Sequence, residues 1–93
     1  MMTIHKYTLE IADEQVVRVR HGARVLSVGE QHDVLVFWAE VDTEKPPAPL
    51  SFSIRGTGHP LGLIGSLGAS ARFVGTVQTR RGLVWHVYVW GDR

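Results

Sequence analysis

Val34-Leu35-Val36-Phe37-Trp38-Ala39-Glu40-Val41 is the stretch on which the fold turns. It is almost continuously apolar, whereas a strand with one wet face alternates. A strand of this kind has both faces covered, and it is expected at the centre of a sheet. Its neighbours do alternate. Tyr7, Leu9 and Ile11 interleave with Lys6, Thr8 and Glu10, and Val17 and Val19 with Arg18 and Arg20. That is the period of a half-buried strand. After a turn at His21-Gly22-Ala23, Val25 to Val28 opens a strand that a hairpin loop, Gly29 to Asp33, returns into the central one. Leu50 to Arg55 alternates cleanly. Arg72 to Gln78 and Leu83 to Trp90 are two further strands, joined by the tight turn Thr79-Arg80-Arg81-Gly82, where Gly82 supplies a positive φ.

Two segments break the pattern. Pro46, Pro47 and Pro49 mark Thr43 to Pro49 as an extended, exposed connection that cannot pair in a sheet. No helix is convincingly encoded: the best stretch, Leu61 to Leu67, carries Gly62 and Gly65 at interior positions. The expected fold is all-β or nearly so, a single domain over residues 1–93 with about six to seven antiparallel strands. A small open sheet, a sandwich and a partly open barrel all satisfy it.

A chain of 93 residues supports one core but not a deep cavity as well. A bulky ligand would therefore need a surface groove or a subunit interface. A hydrophobic fraction of 44% and a charged fraction of 20% exclude a disordered class. The absence of cysteine excludes disulfides, thiolate metal sites and cysteine nucleophiles, and it favours a cytoplasmic setting. No apolar run has the length of a membrane span, and the alternating N-terminus is not that of a signal peptide.

Charge is distributed unevenly. Residues 45–91 contain Lys45, Arg55, Arg72, Arg80 and Arg81 and no acid. Such a stretch favours anions, unless folding mixes it with the acidic first half. Within it lies Arg55-Gly56-Thr57-Gly58-His59-Pro60-Leu61-Gly62. Glycines let the backbone approach a ligand and turn its N–H groups inward as an anion nest. Arg55, Gly56, Thr57, Gly58 and His59, with Arg72 closing from another strand, are therefore the candidate ligand-binding residues. The plain alternative is a mobile connection whose glycines only make turns. Arg55 falls on the polar side of its strand and His59 in a loop. Replacing both by alanine is thus expected to leave stability nearly unchanged.

Catalytic patterns are missing. The segment is neither a phosphate-binding P-loop nor a dinucleotide fingerprint, and no serine sits in a nucleophile elbow. The five histidines lack the spacing of a metal motif, so no metal and no cofactor is expected. Nucleic-acid binding is disfavoured by the low basic count. Trp38 and Trp85 are expected in the core. Tyr88 and Trp90 point away from the Trp85 face and are candidates for an interface between subunits.

The strings Ile4-His5-Lys6-Tyr7, Gly56-Thr57-Gly58-His59-Pro60 and Val84-Trp85-His86-Val87, among others along nearly the whole chain, resemble a family of short proteins of tailed bacteriophages and prophages. That family carries no established activity. The resemblance implies a phage-encoded protein of the host cytoplasm. By analogy of context it further implies antagonism of host defence. The resulting expectation is a non-enzymatic, homo-oligomeric binding protein that sequesters a small anionic, nucleotide-type ligand. The alternative is a protein-interaction module, either an inhibitor of a host complex or a minor phage assembly protein, and a host defence protein is a possible partner.

Overall fold

The strands form where alternation and the apolar run require them. A computed structural model describes residues 1–66 and 68–92. Its strands are β1 (Met2–Leu9), β2 (Glu14–Arg20), β3 (Arg24–Gln31), β4 (Val34–Asp42), β5 (Pro47–Gly56), β6 (Ala71–Gln78) and β7 (Val84–Trp90). They make two antiparallel sheets, β1-β4-β3 and β2-β5-β7-β6, stacked as a sandwich and not closed into a barrel. A thickness of 16 Å suits two sheets packed face to face. β4 is the centre of the three-stranded sheet, as its apolar run requires. The helix candidate reduces to a 3-10 turn over Gly62–Gly65, and Leu67 lies outside the described residues.

The core lies between the sheets. Leu9, Val25, Leu35, Phe37, Ala39 and Val41 on one side meet Leu50, Phe52, Ile54, Val77, Val87 and Val89 on the other. Phe37 and Phe52 touch across the gap with ring centroids 4.5 Å apart, and Tyr7 stacks on Phe37 at 5.0 Å. At one side of the sandwich β3 runs along β6. Each strand carries a bulge there, between Val25 and Ser27 and between Phe73 and Gly75. A Cβ at position 75 would lie 3.0 Å from Val28 Cγ1, so glycine is what lets the strands approach.

Three expectations need correction. Thr43 to Pro49 does not stay outside the sheet. Pro47, Ala48 and Pro49 pair with Arg20, Val19 and Arg18. The Ile54 N–H donates to the Asp13 carbonyl at 3.0 Å. Even-numbered residues of β5 thus turn their N–H groups toward β2, and odd-numbered residues toward β7. β7 covers β5 only from Ser51 onward, so the missing N–H groups of Pro47 and Pro49 fall beyond its end. The β3–β4 loop is shorter than expected. His32 and Asp33 both have positive φ, giving a two-residue turn between Gln31 and Val34. Trp38 is not in the central core: it lies half-buried on the outer face of its sheet, with its ring over Gly29.

Candidate functional site

The register of the four-stranded sheet arranges its outer face in rows. Val16, Ser51, Trp90 and Ala71 form one row. Glu14, Ser53, Tyr88 and Phe73 form the next, and Arg55, His86 and Thr76 a third. The first two rows are unusually apolar for a solvated face. Val16 is 62% exposed and Phe73 50%, and Phe73 packs edge-on against Tyr88 at 5.3 Å. The segment after β5 folds back over this face and contributes Leu63, 76% exposed. Val16, Ser51, Leu63, Trp90 and Glu14 line a groove of about 610 Å³.

A polar chain stiffens the floor. The Trp90 indole N–H donates to Ser53 Oγ at 2.7 Å. Ser53, fully buried, donates in turn to one Glu14 oxygen. The other Glu14 oxygen accepts from Arg55 at 2.6 Å. Burial pushes the Glu14 carboxyl up, but the bonds from Ser53 and Arg55 and the Arg55 charge outweigh it, holding it below its ordinary value. Its contribution to stability is therefore complete above the unfolded value of about 4.3. It is lost as pH falls through the lower folded value. Asp42 is also lowered, by the Glu44 N–H and the N-terminal ammonium. Glu14→Gln should therefore make the fall in melting temperature between pH 6 and pH 3 shallower without abolishing it. Parallel profiles for wild type and variant would remove Glu14 from the account.

The residues expected to bind an anion are placed as follows. Arg55, with only 11% of its side chain exposed, also donates to the carbonyls of Asp13, Ile54, Pro60 and Leu61. All five of its donors can be occupied by these partners. Arg72 forks onto Asp92, at 3.2 Å from Nε and 2.5 Å from a terminal nitrogen, and also reaches the Val25 carbonyl at 2.9 Å. Asp92 is almost buried and accepts the Val25 N–H at 2.9 Å, so the pair ties β6 to β3. Thr57 Oγ1 lies 2.8 Å from His86 Nε2, and Thr76 Oγ1 lies 2.9 Å from His86 Nδ1. His59 is exposed and its ring covers Gly56, where a Cβ would come within 2.8 Å. Gly58 has φ +87°, which makes it a turn residue. Gly56, Thr57 and His59 do share a small cleft of about 360 Å³ with Gly82 to Trp85, but neither Arg55 nor Arg72 lines it, and Arg72 sits in the β3–β6 seam. The acid-free stretch meets acids from elsewhere: Glu14 neutralises Arg55 and Asp92 neutralises Arg72.

Tyr88 and Trp90, the expected interface residues, do lie on the outer face beside the groove. Sequence reading does not give Glu14, Val16, Ser53, Leu63 and Phe73 this role, because cross-strand register brings the four strand residues together and the fold-back of the segment after β5 adds Leu63. A second cleft, of about 870 Å³, opens at one end of the sandwich. It holds Arg24, Lys45 and Arg72 against Glu40, Asp42 and Asp92, so its charges balance and do not select for an anion. Among the described residues no cluster of three metal-ligating side chains exists, and no helix is long and apolar enough to cross a membrane.

No curated protein and no solved structure matches the chain. One family model does, over residues 1–92, and its description is "Domain of unknown function (DUF7352)". With its whole sandwich inside that match, the chain belongs to the DUF7352 family.

Proposed function

We propose that the domain is a non-enzymatic protein-interaction module, and that its working surface is the outer face of the β2-β5-β7-β6 sheet. The observation that carries this reading is the exposed apolar patch of Val16, Leu63 and Phe73 around the partly covered rings of Tyr88 and Trp90. Contiguous patches of this kind are uncommon on a solvated surface. Aromatic anchors beside a groove are typical of protein interfaces. The occupant is a polypeptide that inserts an aliphatic or aromatic anchor over Trp90. The competing reading, an anionic ligand on the glycine segment, draws no comparable support, because Arg55 and Arg72 already have partners. The phage resemblance suggests seeking the polypeptide among host complexes and phage assembly proteins.

Photo-cross-linking residues placed at Leu63 and Phe73 test the reading, with Ile4 on the other sheet as control. The expected result is one stoichiometric polypeptide captured from positions 63 and 73 and not from 4. Its purified form should then bind Phe73→Asp at least tenfold more weakly than wild type. Equal capture from position 4, or none from any position, would sink the reading. So would stabilisation of the protein by a nucleotide alone, which mass action would show as a raised melting temperature.

A further inference from the structure

β2 is the uncovered edge of the four-stranded sheet. The opposite edge, β6, runs along bulged β3, and its own bulge turns it away from pairing. β2 carries neither a bulge nor a proline. Because the Asp13 carbonyl accepts from Ile54, the odd-numbered residues of β2 turn their main-chain groups toward β5. Glu14, Val16 and Arg18 therefore turn theirs outward. No loop or turn hydrogen bond engages those groups among the described residues. The side chains of the same three residues lie exposed on one face, in the order acid, apolar, base.

That order is complementary to itself when reversed. We propose that β2 pairs antiparallel with β2 of a second copy about a two-fold axis at Val16, joining two four-stranded sheets into one of eight. Val16 then meets Val16 of the second copy, and Glu14 and Arg18 face each other twice. Cross-strand pairs of opposite charge favour this register. Moving the axis to Arg18 would set two arginines against each other. About six main-chain hydrogen bonds close the seam. Glu14 is 58% exposed and keeps its bond to Arg55 while facing the new partner. β1 also offers an edge, but its one charged side chain is Lys6, with no acid to answer it. The pairing takes up the main-chain edge and, of the groove and patch residues, engages Glu14 and Val16, while Leu63, Phe73, Tyr88 and Trp90 lie outside the seam.

The chain has no cysteine, so one introduced thiol reports a symmetric contact without ambiguity. Hydrogen-bonded partners lie about 5.5 Å apart at Cα, within disulfide reach. Wild type should sediment as a dimer of the 10.4 kDa chain. Val16→Cys should cross-link on mild oxidation, and Arg20→Cys should not. Arg18→Glu sets like charges opposite each other and should weaken the dimer at least tenfold, while Arg18→Lys retains it. Val16→Pro removes only an outward N–H, so it should give a folded monomer by circular dichroism. A monomeric wild type would overturn the proposal. So would a dimer indifferent to Arg18→Glu, or one that forms no disulfide in Val16→Cys.

Discussion

Phe52→Ala is expected to destabilise the domain by about 3–5 kcal/mol, the usual loss for an aromatic removed from a closed core. Phe52 has no exposed surface and meets Phe37 of the opposite sheet at 4.5 Å. A cavity there removes the Phe37–Phe52 contact between the sheets, and β-strands cannot slide to fill it without breaking register. Against a total of about 5–15 kcal/mol for a small domain, this brings the variant close to unfolding at room temperature. Urea denaturation measures it directly, and Trp38→Ala is the informative comparison. Sequence reading makes Trp38 a core residue of similar weight, but its ring lies outside the sandwich over Gly29. Trp38→Ala should therefore lose clearly less than Phe52→Ala. Equal losses would mean that the outer covering of β4 matters as much as the space between the sheets.

The same contrast explains what the sequence could reveal. Period two and the apolar run of β4 are local signals, so strand positions and the central place of β4 were legible. The choice of a sandwich over a barrel was not, because it depends on β3 meeting β6 through two bulges that no local pattern announces. Pro47 and Pro49 mislead a local reading for a related reason. Proline forbids one hydrogen bond, and whether that bond is needed depends on how far β7 extends. At the site, alternation was enough to put Tyr88 and Trp90 on an outward face. It could not put Glu14, Ser53 and Arg55 side by side, since Glu14 lies 41 residues from Arg55. An arginine next to glycines reads as an anion donor only while its partners remain unknown.

Arg55→Ala decides between those two views of the same residue. Read locally, it is an exposed cation on a polar strand face, and its loss should cost within about 0.5 kcal/mol. Read in the fold, it is a buried fork that joins β5 to the start of β2 and to the segment after it. Its loss leaves the carbonyls of Pro60 and Leu61 without their Arg55 donor, and takes from the Asp13 carbonyl and the Glu14 carboxylate one of two donors, the others being the Ile54 N–H and Ser53. Breaking a fully buried pair costs about 3–5 kcal/mol. Glu14 is more than half exposed and can be hydrated once abandoned, so about 2–3 kcal/mol is expected. Arg55→Lys keeps the charge but cannot fan out to five acceptors, and it should fall in between. A second measurement separates a clamp from a generic core loss. Without Arg55 the segment from Thr57 to Ser66 loses its anchors at Pro60 and Leu61, so limited proteolysis should cut there under conditions where the sheets remain intact. A stable Arg55→Ala protein with an uncut segment would return Arg55 to the surface. It would also revive the glycine segment as a place for an anion.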